Sequence, residues 1–425
     1  MSTAAPAERA TAQRHVVLGF ALAAMGVAYL DRVAISTAAP AIKAELGLTD
    51  VQMGLVFSAF TLAYALFEVP SGWLADRFGA RLMLARIVIW WSAMTAATGA
   101  AAGFVSLVLL RWLFGMGEAG VLPSISRAFG RWLPAHARGN AFGLTIMAAA
   151  LGGAATQPLV VALLGVVSWR TAFPIFGSVG VVWAVAWYVW FRDEPSEHRG
   201  VNAAELALIG HDPPAPHPRV PWGALVRSRS LLALCAMYFG AIYGWYFYIT
   251  WLPTYLLEAR GFDLKAVGWL AALPLLAIAA GSVVGGTLSD FLARRFRLRT
   301  ALRTPGLIGL PLAALAIVGA VSTPEPRAAA FFLAGAAGLA ALGIAPAWSV
   351  CLAIGGRHAG VVSGAMNTFG NLGGALSPLV MGAGLEAFGS WEFGLWSVAA
   401  LYLFAAGCWA LIEPERPIEG TLTRA

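Results

Sequence analysis

Charged residues are scarce in this sequence. They make up 12% of the 425 residues, and apolar residues make up 59%. Soluble globular domains carry about 25% charged residues. A chain of this size cannot bury so much apolar surface in one aqueous core, because its own surface still needs polar cover. The composition therefore predicts an integral membrane protein.

The sequence has only three cysteines and lacks a Walker-type nucleotide-binding loop. Cys235, Cys351 and Cys408 lie in apolar segments without motif spacing, which argues against disulfides and metal binding. No Walker-type loop, nucleophile–base pair or metal cluster is present, so we expect neither an enzyme nor a cofactor. Residues 115–120 (GMGEAG) spell the dinucleotide fingerprint but interrupt an apolar segment, where small residues more simply permit close helix packing.

The net charge of +7 would be compatible with a nucleic-acid-binding protein, but the positions of the charges argue against that function. With a cytoplasmic N-terminus, 21 of the 28 Lys and Arg residues fall in cytoplasmic segments. This is the positive-inside bias of a multi-pass inner-membrane protein. Of the other seven, Arg32 and Arg111 lie within spans. The remaining five basic residues lie on the side of the membrane opposite the cytoplasm: Lys43, Arg170, Arg260, Lys265 and Arg327.

Apolar stretches long enough to cross a bilayer, which takes about 20 residues, occur twelve times. The first six lie near residues 16–40, 51–74, 82–102, 106–129, 139–166 and 171–191. The second six lie near residues 229–257, 266–289, 304–322, 328–355, 361–385 and 393–412. We therefore expect an all-α membrane protein with an N-terminal bundle (1–191), a polar, Pro-rich cytoplasmic linker (192–228) and a C-terminal bundle with a short cytoplasmic tail (229–425).

The two sets of spans resemble each other. GWLAD (72–76) closes the second span and GTLSD (286–290) closes the eighth, each ahead of an Arg-rich loop. LGGA with a following proline recurs in the fifth span (151–158) and the eleventh (372–378). Because both repeated segments recur six spans apart, the two halves are predicted to be parallel structural repeats. Such halves enclose a substrate site near the membrane midplane and move against each other.

Four ionisable residues interrupt the spans, and such residues are costly in lipid and mark functional sites. Asp31 and Arg32 lie in span 1, and Arg111 and Glu118 lie two turns apart in span 4. Arginine offers a permanent positive charge and a planar fork that fits a carboxylate, whereas a buried carboxyl group suits proton uptake. The four residues predict anion binding coupled to protons, and the alternative is that they only neutralise one another as packing ion pairs.

Uncharged polar and aromatic residues within the spans are further candidates for substrate binding. Tyr243 and Tyr246 in span 7 are predicted to line the cavity rather than an aromatic belt at the interface. Ser363, Asn367 and Asn371 recur every four residues in span 11 and predict either ligand contacts or interhelical hydrogen bonds.

Several segments of the sequence resemble those of a known protein family. Residues 72–81 (GWLADRFGAR) resemble the loop between the second and third helices of the major facilitator superfamily. Within it, 29–32 (YLDR), 111–120, 251–256 (WLPTYL) and 363–367 (SGAMN) resemble the anion:cation symporter family. That family includes bacterial transporters of sugar acids, tartrate and phthalate and the vesicular glutamate and sialic acid carriers. The resemblance covers nearly the whole chain.

The resemblance implies roles for individual residues. Asp31 and Glu118 match the proton-coupling acids, and Arg32 and Arg111 match arginines implicated in anion binding. It also implies a cytoplasmic gating latch, and we place in the gating set Asp76, Arg77, Arg81, Glu68 and Asp290. For Glu68 a structural ion pair is the alternative.

Two positions depart from the family pattern. Ala149 stands where sugar-acid members carry a glutamine, which argues against a galactonate-like substrate. Gln157 before Pro158 only partly matches the antiporter signature of span 5, which favours symport.

The sequence thus predicts a proton-coupled symporter that imports a small organic anion, such as a sugar acid or aromatic acid, by alternating access. It is expected to be a monomer, surrounded by lipid, in a bacterial inner membrane with both termini in the cytoplasm. The alternatives are an exchanger or exporter of the same fold, or a non-transporting sensor, for which the linker is too short to form an output domain.

Overall fold

The computed structural model describes residues 9–210 and 222–418, apart from the side chains of Val69, Asp76, Ala135, His136 and Arg357. Within those ranges every regular element is a helix. Six spans form the first half: span 1 Gln13–Leu46, span 2 Asp50–Phe78, span 3 Ala80–Thr98, span 4 Phe104–Glu118 continued by Val121–Trp132, span 5 Ala135–Leu164 and span 6 Trp169–Trp190. Six more follow: span 7 Arg229–Thr250, span 8 Leu264–Leu270 continued by Ala272–Ala293, span 9 Leu298–Ser322, span 10 Pro326–Ala341 continued by Ile344–Gly355, span 11 Ala359–Phe388 and span 12 Glu392–Leu411.

Ten of these spans are long and apolar enough to cross a membrane by length and composition alone. The other two are Ala80–Thr98, which begins beside Arg81, and the glycine-rich Ala359–Phe388. Large apolar side chains such as Val182 and Leu352 are exposed on the outer surface, as lipid-facing helices require. The predicted all-helical membrane architecture is confirmed.

Helix ends follow the local sequence. Thr49 and Gln52 form a reciprocal capping box at the start of span 2, and Asp263 accepts a hydrogen bond from the backbone of span 8. Gly47 ends span 1 with φ +62°, a left-handed conformation that glycine adopts without a steric penalty.

The described part of the linker between the halves contains a 3₁₀ turn at Pro195–Glu197 and helices Ala203–Ile209 and Trp222–Arg227. Its first part, up to residue 210, is folded against the first half. Asn202 and Glu205 bind the backbone of residues 11–14 at the start of span 1. We call this end of the molecule the linker side and the opposite end, where spans 1 and 2 connect, the far side.

Glycines allow the closest helix contacts. Gly152 in span 5 lies against the backbone of Gly26 in span 1, and the matching Gly373 in span 11 lies against the backbone of Phe239 in span 7. In the repeated LGGA segments, therefore, span 5 packs on span 1 as span 11 packs on span 7. In span 4, Gly115 meets the backbone of Phe60, as the packing interpretation of GMGEAG predicted.

Spans 2 and 11 form a continuous seam between the halves on the far side. Gly54 lies against the carbonyl of Pro378, Gly382 lies against the backbone of Asp50, and Ser58 donates a hydrogen bond to the carbonyl of Ala375 (2.6 Å). Charged contacts extend the seam: the Glu386 carboxylate accepts a hydrogen bond from Val51 N (3.3 Å), and Lys43 lies 3.5 Å from Glu258.

Towards the linker side the two helices turn to their own halves. Gly72 in span 2 packs against Pro123 of span 4, and Val362 in span 11 packs against Gly355 of span 10. The halves are thus joined on the far side and in the middle of the bundle.

Candidate functional site

An ion pair occupies the middle of the first half. Arg32 Nη2 lies 2.5 Å from Glu118 Oε1, and the two side chains are 13% and 0% exposed. Span 4 breaks directly after Glu118, where its first helix ends before Gly120. A buried ion pair therefore joins spans 1 and 4.

Aromatic rings surround the guanidinium of Arg32. Its Cζ atom lies 4.9 Å from the ring centre of Tyr29, 4.8 Å from that of Phe60 and 5.2 Å from that of Tyr64. Rings at these distances attract a cation, more strongly where water is excluded. None of these three aromatic residues was predicted from the sequence as a site residue, although Phe60, Tyr64 and Glu68 recur every four residues on span 2 and so share a face.

Arg111 is the second buried guanidinium, and it lacks an ion-pair partner within the described ranges. It is 3% exposed and lies over the rings of Phe60 (5.2 Å) and Phe114 (4.5 Å). Its Nε atom has no hydrogen-bond partner in the described structure. A buried charge of this kind is costly unless something pairs with it, so Arg111 is available to an anion.

Asp31 is fully buried beside the same cluster. Neither of its carboxylate oxygens has a hydrogen-bond partner among the described residues, and the donors it faces, Trp91 and Thr95, also lack partners there. Glu118 and Arg111 lie within electrostatic range of it. Asp31 and Glu118 are therefore the acids through which the charge of this cluster can change.

The second half contributes Tyr246 rather than Tyr243. Tyr246 is packed against Gly374 and lies within electrostatic range of Arg32. The hydroxyl of Tyr243 is hydrogen-bonded to Ser397 Oγ at 2.7 Å, which points it towards span 12 and away from Arg32. The two tyrosines thus do not share one site, because their positions on span 7 direct them to different neighbours.

The three polar residues of span 11, Ser363, Asn367 and Asn371, also have different neighbours and do not form one site. Asn367 Nδ2 donates to both carboxylate oxygens of Glu68, at 2.8 and 2.9 Å. Ser363 donates to the carbonyl of Ala359 in its own helix (2.7 Å). Asn371 is 9% exposed, one turn further towards the far side.

The predicted gating residues lie on the linker side, apart from Glu68. Arg81 donates to the carbonyl of Tyr188 (2.9 Å), and its backbone N–H donates to Asp193 (3.1 Å), so its contacts remain within the first half and the linker. Arg77 lies over the rings of Trp73 and Phe78. Asp290 is exposed at the end of span 8, and the side chain of Asp76 lies outside the described residues.

The cluster combines cationic and acidic side chains, without a metal-binding arrangement among the described residues. Among residues 9–210 and 222–418, no group of three or more His, Cys, Asp or Glu side chains could hold a metal ion. Two guanidinium groups and two carboxyl groups lie in one buried region at the boundary with the second half. Arginine stays charged in proteins, so the carboxyl groups are the side chains of this region whose charge can vary.

Comparison with known families gives a match over most of the chain. Residues 21–378 match the Major Facilitator Superfamily. The probable sulfoacetate transporter SauU of Cupriavidus necator is 38% identical, with 94% of each chain covered. The hexuronate transporter of Bacillus subtilis is 30% identical (95% of each chain), and the D-galactonate transporter of Escherichia coli is 31% identical (89% of this chain, 90% of the other).

Solved structures show the same architecture. A bacterial homologue of the human lysosomal transporter Spinster, described as inward-facing and unoccupied, superposes with a TM-score of 0.78 at 22% identity, covering 94% of this chain and 96% of the other. At that identity the likeness concerns the fold alone.

Proposed function

The chain belongs to the major facilitator superfamily and is a transporter of that fold, and we propose that it is a proton-coupled symporter that imports a small organic anion. The observation that carries the proposal is the cluster of Arg32, Arg111, Asp31 and Glu118, which is buried between helices of the first half and has Tyr246 of the second half within electrostatic range. A substrate anion would bind Arg111 and Arg32. Protons would enter on Glu118 and Asp31.

Electrostatics support this division of roles. The Arg32–Glu118 pair is neutral as it stands, so an anion gains little from Arg32 until Glu118 is protonated. Protonation of Glu118 releases the guanidinium for the substrate, which links the uptake of a proton to the binding of an anion. Arg111, which makes no ion pair with any described residue, supplies a second donor fork.

The membrane potential sets the stoichiometry that such a symporter needs. Moving one charge across 100 mV changes the free energy by about 2.3 kcal/mol. Import is therefore favoured by the potential only when more protons than substrate charges enter. We propose a bacterial inner membrane with both termini on the cytoplasmic side, which makes the linker side cytoplasmic, and a monomer as the working unit.

The relatives narrow the substrates to test. Those named above are called transporters of sulfoacetate, a hexuronate and D-galactonate, and all three substrates are small anions. We propose a short anion such as sulfoacetate ahead of the sugar acids, because Ala149, at 3% exposed, presents no hydrogen-bonding side chain where sugar-acid members carry a glutamine. A thermal-shift screen of the purified protein against sulfoacetate, sugar acids, aromatic acids and short dicarboxylates tests that order.

The coupling is tested with Glu118→Gln in proteoliposomes. The amide keeps an oxygen for Arg32 but cannot carry a proton, so we expect proton-driven accumulation to be lost while counterflow exchange of the best substrate persists. Glu197→Gln, an exposed position in the linker, is the matched control. Uphill uptake that survives in Glu118→Gln would refute the assigned role, and substrate-for-substrate exchange without alkalinisation of the medium would favour an exchanger.

A further inference from the structure

The hydrogen bonds between Glu68 and Asn367 join the two halves at a particular place. Glu68 belongs to span 2 and Asn367 to span 11, and the single Asn367 Nδ2 atom lies within 2.9 Å of both carboxylate oxygens. Among the cross-half hydrogen bonds of the described residues, this contact lies nearest the linker side. Moving towards the far side, the seam continues through Ser58–Ala375 and Gly54–Pro378.

Beyond Glu68 the two helices turn to their own halves. In span 2, Ser71 packs beside Gly120. In span 11, Met366 contacts Cys351 of span 10 (3.5 Å between sulfur atoms). The Glu68–Asn367 contact is therefore the boundary between the joined and separated parts of the seam.

Glu68 is also connected to the charge cluster. It lies one turn from Tyr64, whose ring is 5.2 Å from the Arg32 guanidinium, and it is within electrostatic range of Arg32 itself. Its charge thus acts on the cluster and on the seam together. A hydrogen bond to a charged acceptor is stronger than one between neutral groups, so this contact favours the arrangement in which it is made.

We propose that Glu68 and Asn367 form a latch between the halves that stabilises the arrangement joined on the far side. Closing the linker side would change the angle between spans 2 and 11. One nitrogen held between two oxygens tolerates little such change, because hydrogen bonds weaken steeply away from their preferred angles. The latch therefore breaks as the halves rock, and Asn367 serves conformational control rather than substrate contact. The proposal rests on the transport function proposed above, since a latch matters only to halves that move.

The test measures the distance between spin labels on the linker side of the purified protein in lipid nanodiscs, without substrate or a proton gradient. Labels replace Leu82 at the start of span 3 and Phe296 between spans 8 and 9, both of which are exposed. We expect Asn367→Ala and Glu68→Ala each to raise the population of short distances about threefold to tenfold, the range typical of one hydrogen bond between helices in a membrane protein. Glu68→Gln, which keeps the shape but loses the charge, should give an intermediate shift.

Exchanging the two side chains distinguishes the effect of the hydrogen bond from that of general packing. Glu68→Asn combined with Asn367→Glu reverses donor and acceptor with the same total chain length, so it should restore the wild-type distances although each single change shifts them. Thr145→Ala removes a buried hydroxyl bonded only within its own helix (2.8 Å to the Ala141 carbonyl) and should leave the distances unchanged. Unchanged distances in Asn367→Ala and Glu68→Ala, or a swap that adds the two single effects, would overturn the latch. Because no transport is measured, such a failure is separate from failure of the Glu118→Gln test.

Discussion

Arg32 and Arg111 carry the same charge but have different partners. Arg32 is held by the Glu118 carboxylate, whereas Arg111 has no ion-pair partner among the described residues and lies over the rings of Phe60 and Phe114. A buried guanidinium without an ion-pair partner costs free energy that a bound anion returns. At the residue scale, Arg111 is therefore the position at which a substitution should most directly weaken anion binding.

Arg111→Gln tests that expectation. It removes the charge and the donor fork, and we expect the Kd of the best substrate to rise about 10- to 100-fold, since a hydrogen bond to a charged group contributes about 1.5–3 kcal/mol. Isothermal titration on the purified protein measures it. Arg131→Gln, which breaks a half-exposed pair with Glu194, should leave the Kd unchanged. Equal affinity in wild type and Arg111→Gln would contradict an anion site at Arg111.

At the scale of elements, the linker helix Ala203–Ile209 fixes the start of span 1. The Glu205 carboxylate accepts hydrogen bonds from the N–H groups of Gln13 (3.2 Å) and Arg14 (3.0 Å) and from the Thr11 hydroxyl, and its ion pair with Arg14 spans 3.0 Å. Burial acts to raise the pKa of Glu205, but these hydrogen bonds outweigh it and hold the pKa below its ordinary value of 4.5. A negative charge at a helix N-terminus is also favoured by the helix dipole.

Glu205→Ala should destabilise the first half in a pH-dependent way. The lowered folded-state pKa means that the carboxylate stabilises the fold fully above its unfolded pKa and that this contribution is lost as pH falls through the folded pKa. We expect the melting temperature of the variant to lie a few degrees below wild type at pH 7, with the loss of a helix cap costing about 1 kcal/mol. The difference should shrink below pH 4.5.

Differential scanning fluorimetry of the protein in detergent across pH 3.5–7.5 measures the difference. Glu197→Ala, exposed in the same linker, should melt like wild type. A difference that stays constant down to the lowest pH would show that the charge of Glu205 is not what stabilises span 1.

At the scale of the whole molecule, the halves meet through charges on the far side. Glu386 of the second half lies at the N-terminus of span 2, with its carboxylate 3.3 Å from Val51 N, and Lys43 contacts both Asp50 of its own half and Glu258 of the other. Exposed ion pairs are individually weak, about 0.2–1 kcal/mol each. Their combined effect still shifts an equilibrium between two arrangements of similar free energy.

Glu258→Gln combined with Glu386→Gln should open the far side. We expect the ratio of long to short distances between labels at Val105 and Phe388, both exposed, to rise about threefold in electron paramagnetic resonance measurements. Glu45→Gln, which loses a pair with Arg170 inside the first half, is the matched control and should change nothing. If the double variant matches wild type, these charges do not hold the far side closed.

The sequence predicted the charge cluster but not its aromatic surroundings or its connection to span 2. An ionisable residue in a span is conspicuous, so Asp31, Arg32, Arg111 and Glu118 could be identified one by one. Tyr64 could not, because aromatic residues are common in lipid-facing and buried positions alike. Asn367 and Glu68 were singled out separately, and nothing in the spacing of either one names the other as its partner, 299 residues away.

The sequence by itself determined the helical spans, the long-range repeat and the charges that lipid would not tolerate, because helix formation and the cost of burying charge depend on local composition. Only the tertiary structure decided that Tyr243 binds Ser397 while Tyr246 lies within electrostatic range of Arg32, that Asn367 binds Glu68, and that the linker caps span 1. These outcomes depend on which helix faces which and at what rotation. That is settled by packing between segments far apart in the chain, where a shift of one residue turns a side chain by about 100°.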